Sequence, residues 1–265
     1  MSAGGAYPGR AYQDSACDDG VYVYAVVPAG QQPPAGIGGV GNPPASVRVL
    51  TEGPVAAVVS EAPPRLRARR RDLLAHQELL LRLSESGPVL PMRFGMVAPD
   101  EATVRAQLAA AGARHLKALE RLADRVELNL KALPPSDALA GLVREDDMIQ
   151  QLLRAARRHP GYEANLRLGE AVVTALSRRA AEAGRRAVLE LTPLARAVAA
   201  GPEVSGCVLN TSFLVDRAAS DRFRTAARDF AELRRDHVEL RVAGPLPCYS
   251  FVTPEGPGPL VSAGA

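Results

Sequence analysis

The order of strand and helix patterns predicts an α+β protein with two domains and antiparallel sheets. The first half of the 265-residue chain ends with strand patterns at 89–97 and 125–133 that enclose a helical pattern. The second half ends in the same order, with strand patterns at 204–216 and 237–247. Between the two halves, residues 148–200 are nearly all helical in pattern. We therefore predict two α+β domains, the second with a helical segment and a small sheet.

The first domain is predicted to begin at Val21, after a tail over 1–20 that is predicted to be disordered. Residues 21–27, VYVYAVV, are β-branched and aromatic, which predicts a strand. The Gly/Pro-rich segment 28–44 predicts a flexible loop. This loop contains the run GIGGVG, but the next pattern is a strand, whereas a phosphate-binding glycine turn leads into a helix.

Strand and helix patterns alternate through the rest of this domain. Residues 46–61 predict two strands joined by a turn, and 65–85 predict an amphipathic helix. The apolar stripe of that helix includes His76, which we interpret as a core histidine with its hydrogen bonds satisfied. A second helix pattern then leads to the strand 125–133, which we expect to complete the first domain.

The Pro-rich stretch that follows this strand predicts the domain boundary. We predict a first domain over 21–133, a linker over 134–147, a second domain over 148–252 and a flexible tail over 253–265. In the second domain we expect the helical pattern to be interrupted at His159-Pro160-Gly161 and near Gly184.

Composition and charge exclude several classes of function. Apolar residues make up 47% of the chain, but no apolar run approaches the ~18 residues that span a bilayer, so we predict no membrane segment. The net charge is +3, and aromatic residues, on which nucleic-acid bases stack, are only 4% of the chain. We therefore predict no nucleic-acid partner. The three scattered cysteines do not form a disulfide framework, which favours a reducing cytoplasm.

We find no constellation of residues that indicates catalysis. The four histidines share no metal-ligand spacing, and the chain has no G-x-S-x-G motif. We predict that the protein is not an enzyme and that it holds no metal or cofactor.

The densest positive charge lies at 65–71, where the run RLRARRR begins a predicted helix. Positive charge opposes the dipole at the amino end of a helix. Two interpretations are open, a solvated surface and a surface that contacts an acidic partner, and we favour the first.

Several motifs, in order along the chain, resemble the gas vesicle accessory proteins of the GvpF/GvpL family. The amino-terminal motifs are VYVYAVV, GIGGVG, VAAVVSEAP and a helix that carries LLAHQELL. VLPMRFGMV and RVELNLKA follow, and the carboxy-terminal motifs are LNTSFLVD and GPLPCYSFV. The resemblance covers roughly residues 21–252. Leu246 stands where the family usually has Trp, and Cys248 stands where it usually has Pro.

The resemblance implies a fold, a partner and a location. It implies two α+β domains, the first related to the ferredoxin-like fold, and a non-enzymatic minor component or assembly factor of gas vesicles in the cytoplasm. It implies that the protein binds the hydrophobic shell protein, with other gas vesicle accessory proteins as further candidate partners. The candidate partner-interface or family-motif residues are Tyr22, Tyr24, His76, Pro91, Arg93, Phe94, Gly95, Gly244, Pro245, Tyr249 and Phe251.

Within VLPMRFGMV, strand alternation directs Arg93 away from the core. We favour an intramolecular carboxylate over a partner as the group that Arg93 contacts. For shell-protein binding, we expect 21–27 to lie at a sheet edge and to accept an added strand beside the loop 28–44. Two alternatives remain, a generic protein-interaction module and, less favoured, an arginine-mediated nucleic-acid binder.

Overall fold

The computed structural model describes residues 20–64 and 66–252, and these form two compact units that divide between Arg121 and Leu122. Each unit combines helices with one antiparallel sheet, which confirms the predicted α+β class. Apart from Gly20, the predicted disordered tail 1–20 lies outside the described residues, and so does the predicted flexible tail 253–265.

The first unit contains five strands and two helices in its described residues. They are β1 (Val21–Pro28), β2 (Arg48–Glu52), β3 (Val55–Glu61), α1 (Arg70–Ser86), β4 (Leu90–Pro91), β5 (Val97–Ala98) and α2 (Glu101–Leu122). The sheet order is β2-β3-β1-β4, and β5 also pairs with β1. Because β2 follows β1 without an intervening helix, this unit does not have the ferredoxin-like order that we expected of it.

Strand β1 is central in its sheet, so the expectation that 21–27 forms an edge is wrong. One side of β1 pairs with β3, and the other side pairs with β4 and β5. Every residue of 21–27 is buried, because the strand is covered on both faces and has neighbours on both sides. A continuous apolar run is the pattern of such a strand.

The predicted strand at 89–97 is interrupted by a turn. Ala25 pairs with Pro91 and Tyr22 pairs with Val97, so the five residues 92–96 lie opposite only two residues of β1. The longer segment therefore bulges out as a turn, with Gly95 at a positive φ of 88°.

The second unit has the strand-helix-strand-strand-helix-strand order of the ferredoxin-like fold, with two additional helices after its first strand. Its elements are β6 (Arg125–Leu133), α3 (Leu139–Glu145), α4 (Asp147–Arg158), α5 (Tyr162–Leu191), β7 (Ala197–Ala200), β8 (Leu209–Asp216), α6 (Ser220–Leu233) and β9 (Glu239–Leu246). The sheet order is β7-β8-β6-β9, and every pair is antiparallel.

Two expectations about the domain boundary are therefore wrong. The strand at 125–133 is β6, which lies between β8 and β9 in the second sheet and does not complete the first. The segment 134–147 is not a linker, because it contains α3, whose Leu142 is buried against Ile149 and Ala175.

Helix α5 contacts two different partners along its 30 residues. Ala180, Ala183 and Ala187 in its carboxy-terminal half pack on the second sheet. The helix continues through Gly184, so the expected interruption there is wrong. A Cβ at Gly184 would lie 2.9 Å from the Ala132 Cβ, so close packing on β6 requires glycine at this position. The amino-terminal half packs on α3 and α4, and we call α3, α4 and residues 162–176 the helical arm.

Candidate interaction surface

Four predicted site residues meet in a buried aromatic cluster in the first unit. Tyr22, Tyr24 and His76 are each at most 3% exposed, and Phe94 packs against them. The ring centroid of His76 lies 5.6 Å from that of Tyr24 in a stacked arrangement and 5.7 Å from that of Phe94 edge-on. These residues come from β1, α1 and the turn at 92–96, so the cluster joins three separate segments of the chain.

Hydrogen bonds run through this cluster to the backbone of the turn. The backbone N–H of Gly95 donates to Tyr22 Oη at 3.2 Å, and Tyr22 Oη lies 2.9 Å from His76 Nδ1. The other ring nitrogen, Nε2, lies 3.1 Å from the Met92 carbonyl. Because a carbonyl only accepts, Nε2 carries the proton, and Nδ1 accepts from the Tyr22 hydroxyl.

The cluster holds His76 in its neutral form. Burial lowers the pKa of His76 to about 4, while the hydrogen bond to the Met92 carbonyl acts weakly in the opposite direction. A neutral imidazole donates through one nitrogen and accepts through the other, which is the arrangement that both contacts require. His76 is thus a core histidine with both nitrogens paired, as we expected from the apolar stripe of its helix.

The glycine loop is fixed to the same core, and the expectation of a flexible loop is wrong for its glycine run. The backbone N–H of Val40 donates to Tyr24 Oη at 2.7 Å, and that of Gly41 donates to the buried Asp72 carboxylate at 3.0 Å. A Cβ at Gly39 would lie 2.2 Å from Tyr24 Oη, so the close approach requires glycine. The N–H groups of Val40 and Gly41 bind protein atoms and are not directed at a phosphate.

Arg93 is exposed at the tip of the turn. In the described part of the chain it forms no ion pair, so the intramolecular carboxylate that we favoured is not present there. We correctly expected Arg93 to point away from the core, but the cause is the turn and not the alternation of a strand. The guanidinium is thus presented to solvent on a backbone that the buried cluster holds in place.

The other amino-terminal site residues lie behind this surface. Tyr22, Tyr24, His76, Pro91 and Gly95 are buried, so a partner that docks on the folded chain does not contact their side chains. They position the turn. Phe94 is half-buried and lies between the cluster and the surface.

The carboxy-terminal motif forms a strap over the second sheet. Strand β9 ends at Leu246, and the segment 247–252 (the strap) then covers Glu127, which lies on the face of β6 opposite the helices. The Ser250 N–H and hydroxyl donate to the Glu127 carboxylate at 2.9 and 2.7 Å. Phe251 is buried at 8% exposure, Pro245 is exposed and Tyr249 is 39% exposed. Gly244 has φ 129°, and a Cβ there would lie 2.7 Å from the Glu127 carbonyl oxygen.

The arginine run lines an open cleft of about 500 Å³ at the start of α1. Arg67, Arg69 and Arg71 contribute to its walls, and Arg71 lies 3.3 Å from the Asp72 carboxylate. Arg65 lies outside the described residues. No aromatic residue is among the residues that line the cleft in the described structure, so it offers no surface on which bases could stack.

Residues 20–64 and 66–252 contain neither a cluster of metal ligands nor a helix suited to cross a membrane. No three His, Cys, Asp or Glu side chains in that part of the chain are grouped as metal ligands would be. None of its helices combines the length and the apolar character needed to cross a membrane.

The described residues define a two-unit α+β protein in which buried side chains hold an exposed turn and the strap covers one face of the second sheet. The sequence profile of the family described as "Gas vesicle synthesis protein GvpL/GvpF" matches residues 20–253. The chain belongs to this family, and it therefore has a gas vesicle accessory role.

Individual relatives agree with the family match. Gas vesicle protein F of Streptomyces sp. (strain CB03234) is 41% identical over 235 residues, which cover 87% of this chain and 98% of the relative. Gas vesicle protein L of the same organism is 32% identical over 255 residues, which cover 87% of this chain and 91% of the relative.

Two crystal structures share the fold. GvpF from Anabaena sp. PCC7120 superposes with a TM-score of 0.70 at 22% identity, with coverage of 90% of this chain and 100% of that chain. GvpF from Microcystis aeruginosa superposes with a TM-score of 0.66 at 19% identity, with coverage of 88% and 99%.

Proposed function

We propose that this protein is a non-enzymatic assembly factor that binds the gas vesicle shell protein in the cytoplasm, and that the turn bearing Arg93 contacts it. A shell protein that exposes apolar surface before assembly needs a partner that limits its aggregation. A soluble accessory protein of the same system is suited to that task.

The observation that carries the proposal is an exposed arginine on a backbone fixed from behind. Arg93 has five N–H donors in a planar fork and no carboxylate partner among the described residues, so it is available to a carboxylate or carbonyl of a partner. The hydrogen bonds at Met92 and Gly95 hold the turn before binding, which lowers the entropy that association costs.

Half-buried apolar side chains border this arginine. Met92, Phe94 and Met96 are neither fully buried nor fully exposed, so a partner that covers the turn also covers their apolar surface. The contact that we propose therefore combines one charge-assisted hydrogen bond with apolar burial. Because apolar burial is not screened by salt, the complex is expected to persist at moderate salt.

Arg93→Ala tests the proposal in the full chain. We expect co-purification with tagged shell protein to weaken by about tenfold, the effect of one lost charge-assisted contact. We expect the melting temperature to stay unchanged, because Arg93 has no ion pair to lose in the described structure. Arg93→Lys should bind with intermediate strength, because it keeps the charge and loses the fork.

The matched control is Arg82→Ala. Arg82 is also exposed in the first unit, and within the described structure it pairs only with Glu85 at the surface. If Arg93→Ala and Arg82→Ala retain the same amount of tagged shell protein, the turn does not contact it. Loss of binding on replacing Arg67 and Arg69 instead would assign the interaction to the arginine cleft.

A further inference from the structure

Helix α5 carries an apolar stripe on the helical arm that the described residues leave uncovered. Its members are Tyr162, Leu166, Gly169 and Val173, spaced by four, three and four residues, and we call them the arm stripe. Tyr162 is 85% exposed, Val173 is 65% exposed and Leu166 is 47% exposed. Positions with this spacing lie on one side of a helix, so the four residues form a continuous surface over about 17 Å.

The arm stripe continues a surface that is already used for packing. Further along the same register, Leu176 packs on the core of the arm, and Ala180, Ala183 and Ala187 are buried against the second sheet. The alternation of three and four residues is the seam pattern of helices that pack with knobs in holes. Along the arm, the described residues leave this seam exposed.

Packing within the arm uses a different side of α5. Leu168 and Val172 pack with the small core of Leu142, Ile149 and Ala175. This core is formed by α3, α4 and α5 and does not extend to the arm stripe. The arm is therefore held as a unit by one side of α5, while the neighbouring side is open.

We propose that the arm stripe docks an amphipathic helix of a partner protein, and that this helix carries basic residues beside its apolar seam. Glu163 and Glu170 each follow a stripe residue, at equivalent positions one heptad apart, and both are exposed. Residues at such flanking positions select the charge of the opposing helix. Glu163 already has Arg167 as a neighbour, and Glu170 forms no ion pair within the described residues.

The same charges argue against a second copy of this chain as the occupant. Two copies of α5 that pack in antiparallel orientation through the arm stripe bring Glu163 of one copy next to Glu170 of the other. Like charges at these positions are destabilising, and both sides of the two-fold contact would suffer the same repulsion. The surface therefore favours a different protein with the opposite charge.

Synthetic peptides test this proposal on the full chain. One peptide has three heptads with leucine in the seam and lysine at the flanking positions, and the second has glutamate in place of every lysine. We expect the lysine peptide to bind several-fold more tightly by titration calorimetry. Glu170→Lys should reduce or reverse that preference, because it reverses the charge that selects the partner.

Leu166→Lys is expected to weaken binding of the lysine peptide by about tenfold, because the substitution removes an apolar contact and places a positive charge next to the lysines of the peptide. The matched control is Leu189→Lys, since Leu189 is 73% exposed on the far side of the same helix. Equal binding by these two variants, or binding of neither peptide to the wild-type chain, would overturn the proposal. A dimer in sedimentation that Leu166→Lys dissociates would also overturn it, in favour of a second copy.

This surface is independent of the shell-protein proposal. Arg93→Ala should bind the lysine peptide as the wild-type chain does, and Leu166→Lys should still co-purify with shell protein. Failure of one proposal is therefore distinguishable from failure of the other.

Discussion

At the scale of single residues, His76 connects three segments that are distant in sequence. It receives a hydrogen bond from Tyr22 of β1 and donates to Met92 at the start of the turn. A leucine at this position would fill the space but would leave the Tyr22 hydroxyl and the Met92 carbonyl without this partner. Buried polar groups left unpaired cost about 1–3 kcal/mol each. The histidine therefore fixes the geometry of the turn.

The lowered pKa of His76 predicts a pH dependence of stability. The unfolded chain binds a proton at His76 near pH 6.5, whereas the folded chain binds it only near pH 4. Between these values the unfolded state holds more protons, so the free energy of unfolding falls as the pH is lowered from 6.5 towards 4. We expect His76 to account for a loss of about 2 kcal/mol between pH 7 and pH 5.

Urea unfolding of the wild-type chain and of His76→Gln at both pH values measures this contribution. The variant should be less stable at pH 7 and should lose less stability on acidification, because its amide does not titrate. The pKa of His115 is also lowered by burial, and this group is common to both proteins and cancels in the comparison. Equal losses in the two proteins would show that His76 does not control the pH dependence.

The sequence predicts the burial of His76 and the exposure of Arg93, but not the contacts of either. Helical periodicity places His76 with Leu80 and Leu83, which are fully buried. Its partners lie on segments whose distance along the chain gives no local signal. For Arg93, strand alternation predicts the correct direction, but the segment is a turn and not a strand. The turn forms because residues 92–96 lie opposite only two residues of β1, and this pairing cannot be read from the segment itself.

At the scale of elements, the strap connects the end of β9 to the open face of the second sheet. Glu127 is 4% exposed and has its carboxylate bonded to Ser250, whose hydroxyl is 3.1 Å from Ser212 Oγ. Burial raises the pKa of the Cys248 thiol in the strap to about 12, so this cysteine stays protonated and packs as an apolar group. The strap therefore covers this face of the sheet through two hydrogen bonds from Ser250 to the buried Glu127 carboxylate and through the buried side chains of Cys248 and Phe251.

Ser250→Ala is expected to destabilise the chain by about 1–3 kcal/mol, because the buried Glu127 carboxylate loses a hydroxyl donor. The control is Ser205→Ala, in an exposed loop of the same unit, with an expected change within about 0.5 kcal/mol. Urea unfolding at pH 7 compares the two variants. A change in Ser250→Ala no larger than that of the control would mean that solvent replaces the lost donor.

Element type was more predictable than element position. The strands at 21–27 and 125–133 and the helix at 65–85 were expected from periodicity, and α1 begins later, at Arg70. The expectation that 21–27 lies at a sheet edge is wrong. An apolar run is compatible with an edge strand or a central strand, and only its pairing with β3 and β4 distinguishes the two. Helix α5 was expected to break near Gly184, but that glycine is required by close packing on Ala132.

At the scale of the whole molecule, the chain divides where its sequence shows no composition change. The division falls between Arg121 and Leu122 at the end of α2, whereas the prolines at 134–135 lie inside the second unit. These prolines end β6 and precede α3, which is a turn between elements of one unit. Proline marks the end of an element equally well within a domain and between domains, so the sequence could not distinguish the two cases.

The division predicts which fragments fold. A fragment over 122–265 retains β6, which pairs with β8 on one side and β9 on the other, and should unfold cooperatively in urea. A fragment over 142–265 lacks β6, so Leu128 and Leu130 are missing from the core around Phe213, and the facing edges of β8 and β9 lose their hydrogen bonds. We expect this shorter fragment to keep helical circular dichroism from the helical arm without a cooperative transition.

In the first unit, fragments over 20–121 and 20–133 should unfold at the same urea concentration, because the added strand has no partner there. Cooperative unfolding of 142–265, or a higher midpoint for 20–133 than for 20–121, would contradict the assignment of β6 to the second unit.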